Sequence, residues 1–98
     1  MTKAYAIGQL NVKNPEGYLA YSREVPPTLA PFGGRFLVRG GDPKVMDGQP
    51  TGPRNVVIEF PDMASAQGWY QSAAYQAILQ GRLDNATGYL VMVEGYAG

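Results

Sequence analysis

Glu59 stands between Ile58 and Phe60 in the run Asn55-Val56-Val57-Ile58-Glu59-Phe60, a setting where an unpaired carboxylate is costly to bury. The residue types allow two readings. In one, burial raises the Glu59 pKa and makes it a general base or ligand anchor. In the other, Glu59 is ion-paired with Arg39 or Arg54 and holds the sheet or a dimer together. Arg39 precedes Gly40-Gly41, where bare backbone amides and a guanidinium suit a carboxylate gripped in bidentate fashion. The same glycines also make a plain tight turn, with Arg39 paired to a nearby acid. Seven tyrosines occur in the chain, and Tyr5, Tyr18, Tyr21, Tyr70 and Tyr75 lie on elements expected to border the space between sheet and helices. Together they form either a polar-lined pocket or an aromatic core with hydroxyls at its edge. Two functions survive. In a small enzyme, Glu59 is the base, Arg39 and Tyr75 orient the substrate, and Tyr5, Tyr18, Tyr21 and Tyr70 contact it. In a non-catalytic binding or regulatory dimer, the same residues capture a ligand or build the interface.

Composition narrows the chemistry further. The 98 residues include neither histidine nor cysteine, which removes Ser-His-Asp and Cys-His catalysis, disulfides, thiolate metal sites and histidine-ligated haem. Asp42, Asp47 and Asp62 lack the alternation and terminal Glu of a calcium loop, so neither metal nor other cofactor is expected. Eight basic residues balance eight acidic ones, leaving no excess charge for a nucleic acid or an anionic membrane. Trp69 without a basic track reads as packing rather than a stacking platform. Gly40-Gly41 lacks the spacing of a phosphate-binding loop. No apolar run approaches the length of a spanning helix. Met1-Thr2-Lys3-Ala4-Tyr5 enters a strand pattern at once without the layout of a signal peptide, so a cytoplasmic location is expected.

The positioning elements are legible from periodicity. Lys3 to Val12 alternates as a first strand, with Ala4, Ala6, Gly8, Leu10 and Val12 on one side. Asn14-Pro15-Glu16 starts a helix, with Asn14 as cap and Tyr18, Tyr21, Val25 and Leu29 as apolar face; Pro26-Pro27 should kink it or end it early, and Gly33-Gly34 stops it. Arg35 to Arg39 is a short strand, with Phe36 and Val38 opposed to Arg35, Leu37 and Arg39. Gly40 to Pro53 holds four Gly, three Pro and two Asp and is loop, with a small hairpin near Lys44 to Gly48. Asn55 to Phe60 is a third strand. Asp62 caps a second helix and Ser72 recaps it. Tyr75, Ile78, Leu79 and Leu83 then form its apolar face, and Arg82 favours the negative end of the helix dipole. Tyr89 to Glu94 is the last strand, and residues 1–98 make one domain.

This β-α-β-β-α-β order fits an α+β, ferredoxin-like plait: a four-stranded antiparallel sheet with two helices on one face. Its other face should be polar if it meets water. Here Val56, Ile58 and Phe60 oppose Asn55, Val57 and Glu59, while Tyr89, Val91 and Val93 oppose Leu90, Met92 and Glu94. Both faces are largely apolar, so a homodimer through the open sheet face is expected.

Lys3-Ala4-Tyr5, Asn14-Pro15-Glu16-Gly17-Tyr18, Pro26-Pro27, Gly33 to Gly41, Arg54 to Pro61, Trp69-Tyr70-Gln71-Ser72, Tyr75-Gln76, Arg82 and Glu94-Gly95 follow one another in an order and spacing that resemble domain-of-unknown-function family 1330, in the dimeric α+β barrel superfamily. The resemblance covers essentially the whole chain. It implies a fold and a symmetric dimer and names no reaction; the wider superfamily includes cofactor-independent monooxygenases, small-ring isomerases and haem-binding proteins. Ala73-Ala74 stands where the family pattern has Pro-Glu, which removes an acid from that helix start.

Overall fold

The computed structural model describes residues 2–97. Its elements are β1 (Ala4–Val12), α1 (Pro15–Leu29) followed by a 3-10 turn (Ala30–Phe32), β2 (Arg35–Arg39), β3 (Arg54–Phe60), α2 (Met63–Gln71), α3 (Ala73–Asn85) and β4 (Ala86–Glu94). The strands form one sheet in the order β2-β3-β1-β4, antiparallel at every pairing. This is the ferredoxin-like α+β plait, with the helices on one face and the two-layer slab only 16 Å thick.

Residue size on the central strand shapes the interior. β1 turns Ala4, Ala6, Gly8 and Leu10 toward the helices, and Ala4 and Ala6 are fully buried. These short side chains leave room for Phe60, Trp69 and Tyr75, the largest fully buried side chains. Phe60, Trp69, Tyr75, Tyr21 and Tyr18 form a continuous aromatic chain, with ring centroids 5.5, 4.2, 6.3 and 5.5 Å apart in that order. Such pairs add to simple area burial. The Trp69 indole donates to Thr28 Oγ1 at 2.9 Å, so its one polar atom is satisfied. α1 and α3 approach closely where side chains are absent: a Cβ on Gly17 would collide with Asn85, and one on Gly81 would sit 3.0 Å from Tyr21 Cβ.

Caps fall where the side-chain oxygens predict for α2 and α3. Asp62 Oδ1 accepts from the Ser65 amide at 2.7 Å, and Ser72 Oγ accepts from Tyr75 N at 3.2 Å. Gly33, at φ +69°, ends the 3-10 turn. Two expectations need correction, and one is narrowed. Among the described residues Asn14 makes no side-chain cap; the Lys13 and Asn14 amides donate instead to the Asn85 carbonyl, at 2.8 and 3.2 Å. Of the two outcomes expected at Pro26-Pro27, the early end does not occur: α1 runs through both to Leu29. The stretch between β2 and β3 forms no hairpin among the described residues; it is tied to β1 by the Thr51 amide, which donates to Gln9 Oε1 at 2.8 Å.

Candidate functional site

A proline inside a helix leaves the carbonyl four residues earlier without its amide donor. Pro26 does this to Ser22, and the orphaned Ser22 carbonyl is taken by Arg39, whose Nη2 donates to it at 2.7 Å and to Ser22 Oγ at 3.1 Å. Arg39 reaches α1 because β2 is irregular. A register shift between Phe36 and Val38 sets Phe36 opposite Ile58 and Arg39 opposite Val56, so Phe36 and Arg39 face the helices together. The expected partition of this strand, with Phe36 and Val38 opposed to Arg39, fails at that bulge. Arg39 also lies over the Phe36 ring, 4.5 Å from its centroid.

Arg39 stands at one end of a cavity between sheet and helices. Its volume is about 30 Å³, the room of a water or two. Gly8 and Val56 form part of its floor, and Tyr18, Tyr21, Trp69 and Tyr75 part of its walls. Three guanidiniums line it: Arg39 is exposed, Arg54 is half-buried and Arg82 is buried. Arg54 Nε donates to the Tyr18 hydroxyl at 3.0 Å, and the guanidinium sits 5.0 Å from the Tyr18 ring centroid. The Tyr21 and Tyr75 hydroxyls are 2.7 Å apart. Burial, reinforced by the neighbouring Tyr75 phenol, pushes the Tyr21 phenol well above its ordinary range, so it remains a neutral donor and acceptor. No carboxylate lines the cavity, and among the described residues none of its guanidiniums is ion-paired. The lining can hold an anion and stabilise negative charge that develops on it. It offers no carboxylate base.

Glu59 lies elsewhere. Strand alternation turns Arg54, Val56, Ile58 and Phe60 toward the helices and Glu59 toward the open face, opposite Tyr5 on β1 and Arg35 on β2. Arg35 Nε donates to Glu59 Oε1 at 2.9 Å, Lys3 Nζ is 3.4 Å from the same oxygen, and Tyr5 OH donates to Oε2 at 3.4 Å. Arg35 foremost, and then Lys3, hold the Glu59 carboxyl below its ordinary range. The expectation that Glu59 shares a site with Arg39 and Tyr75 is therefore corrected, and its ion pairs are with Lys3 and Arg35 rather than Arg39 or Arg54. Tyr5 is likewise on the open face. Tyr18, Tyr21 and Tyr75 meet at the cavity as expected. Tyr70 stacks on Tyr75 at 5.5 Å but lines a shallow groove beside β4 with Arg82.

Arg54, Arg82, Ser22 and Gly8 were not among the expected site residues. Arg82 had a readable signal: it lies seven residues after Tyr75 and four after Ile78, so it shares their helix face. Leu83, expected on that face, is 53% exposed. Arg54 follows the parity of Val56 and Ile58.

The sequence matches the model of a domain of unknown function, DUF1330, over residues 3–96. The chain belongs to this family. Among curated proteins there is no significant match. Solved structures similar to this DUF1330 member include the RPA0582 protein of unknown function from Rhodopseudomonas palustris, at 15% identity and TM-score 0.78, over 99% of this chain and 85% of that one. SnoaB, a cofactor-independent oxygenase from Streptomyces nogalater, is similar at 11% identity and TM-score 0.65, over 100% and 97% of the two chains. HapK from Hahella chejuensis follows at 15% identity and TM-score 0.61, over 97% and 94%. At these identities the likeness is one of fold. No described helix is long and apolar enough to cross a membrane.

Proposed function

We propose that this DUF1330 member is a homodimer that binds a small organic molecule at its sheet–helix cavity and works without bound metal or haem. One observation carries the ligand reading: Arg39, Arg54 and Arg82 converge with Tyr18, Tyr21 and Tyr75 on one cavity from which carboxylates are excluded. A core built only for packing has no use for three guanidiniums. The fold shared with SnoaB, a cofactor-independent oxygenase, supports an enzymatic form of this reading. In it, the arginines and neutral phenols orient the molecule and stabilise negative charge as it forms on a ligand oxygen. Glu59 belongs to the dimer face and takes no part. The dimer reading rests on the open face, where Leu37, Val38, Tyr89, Val91 and Val93 are each 40–47% exposed around the Glu59 cluster.

Trp69 is the only tryptophan in the chain and lines the cavity, so its emission reports occupancy. The protein and a Gly8→Val variant, whose added methyls project into the cavity, are titrated with propionate and propionamide. A saturable change in Trp69 emission with either probe, lost in Gly8→Val, supports the ligand reading. No saturable change with either probe contradicts it.

A further inference from the structure

We propose that the ligand is a carboxylic acid whose carboxylate docks on Arg82; this rests on the cavity being a ligand site and names what the ligand must carry. Arg82 is 9% exposed, and its Nε is shielded from solvent with no hydrogen-bond acceptor among the described residues. A guanidinium is charged at every pH the protein meets. Burying it with an N–H unanswered is among the costlier arrangements a fold can keep, and such exceptions call for an explanation. Its immediate company is phenolic, from Tyr75, Tyr21 and Tyr70, with the Tyr75 oxygen placed to accept from the guanidinium but not from Nε. Phenols supply dipoles but no countercharge while they stay protonated, and no carboxylate lines the cavity. One buried positive charge among neutral donors is complementary to one negative charge. A planar carboxylate matches the guanidinium fork, with the Tyr75 and Tyr21 hydroxyls at hand for a second bond.

Size and access agree with this choice. A volume of about 30 Å³ admits a carboxylate head rather than a whole metabolite, so the remainder of the acid must lie toward a mouth. Arg82 and Leu90 line both the cavity and the surface groove that includes Tyr70, Gly88, Tyr89 and Met92. Arg82 is therefore reachable along β4, at the sheet edge away from Arg39 on β2.

The test follows Trp69 emission at constant ionic strength with propionate, its neutral isostere propionamide, and sulfate, in the native protein and in Arg82→Met. The expected result is saturable binding of propionate and weak or no response to the other two. Arg82→Met should bind propionate about tenfold or more weakly, the loss of a charge-assisted pair. Its melting temperature should equal or exceed that of the native protein, because an unpaired buried charge has been replaced by an apolar chain of similar length. Propionamide binding as tightly as propionate would leave a ligand cavity and overturn the carboxylate. Sulfate binding as tightly would make Arg82 part of an unselective anion site and overturn it too. Undiminished propionate binding by Arg82→Met removes the anchor, as does an Arg82→Met variant that melts well below the native protein. Silence toward every probe overturns both this inference and the ligand reading beneath it.

Discussion

Glu59 meets Arg35 across one ladder and Tyr5 across the other, with Lys3 at the edge. Two cations and a phenol share one carboxylate, and the cations, Arg35 foremost, lower its pKa from an ordinary value of 4.5. The sign of the consequence follows from linkage: a carboxyl whose folded pKa is depressed adds stability above its unfolded pKa and loses it as pH falls through the folded value. Glu59→Gln should therefore be less stable than the native protein at neutral pH. Urea denaturation across pH should show the gap closing as pH drops below 4.5. Asp62, also depressed by its cap to Ser65, titrates with the same sign in both proteins and cancels from the difference. A gap independent of pH would mean that the cluster contributes packing rather than charge. That Glu59 needs a partner is legible in its apolar neighbours. Which partner it takes is not, because alternation gives a face but not the register that puts Arg35, rather than Arg39 or Arg54, across from it. Arg82 was legible on the same terms as Tyr75 and Ile78, but Leu83 competes for that helix face and hydrophobicity favours Leu83.

At the scale of elements, Pro26 and the bulge in β2 act together. The proline frees the Ser22 carbonyl, and the bulge rotates Arg39 to meet it. The proline is visible in the sequence, whereas the bulge shows only once β2 and β3 are paired. Asp62 and Ser72 caps, the Gly33 stop and the presence of all four strands could be read directly, because each rests on local chemistry, but β4 starts at Ala86, three residues before the expected Tyr89. Start of α1 could not: Asn14 is placed by the Asn85 carbonyl, about seventy residues away in sequence and brought close only by the α1–α3 packing. β1 supplies the clearest test at this scale. A Cβ on Gly8 would meet Leu90 Cδ1 at 3.5 Å and Val56 Cβ at 3.9 Å, ordinary contacts. Gly8→Ala should stabilise the protein by about 0.4–1 kcal/mol, because it restricts the unfolded chain without strain in the folded one. Thermal or chemical denaturation measures this, and a loss of stability would show that the strand needs glycine for its backbone rather than for the space above it.

For the molecule as a whole, a slab of 36 × 35 × 16 Å with helices on one side has one broad face uncovered. Sheets that keep one face in water alternate apolar and polar residues, and this one instead shows Leu37, Val38, Tyr89, Val91 and Val93. The face is wide enough for the roughly 800 Å² per partner of a stable interface. Light scattering should give twice the 10.6 kDa chain mass. Val91→Glu, which places two unpaired carboxylates in that interface, should return the monomer mass while the cavity side stays intact. A native monomer at micromolar concentration contradicts the dimer. The proposal that the cavity binds a ligand is tested most directly by a crystal structure of the protein as purified and after a propionate soak. Electron density for an organic molecule against Arg82 and the Tyr21–Tyr75 hydroxyls is the expected result; side chains closed over a solid, ligand-free core in both crystals contradict it.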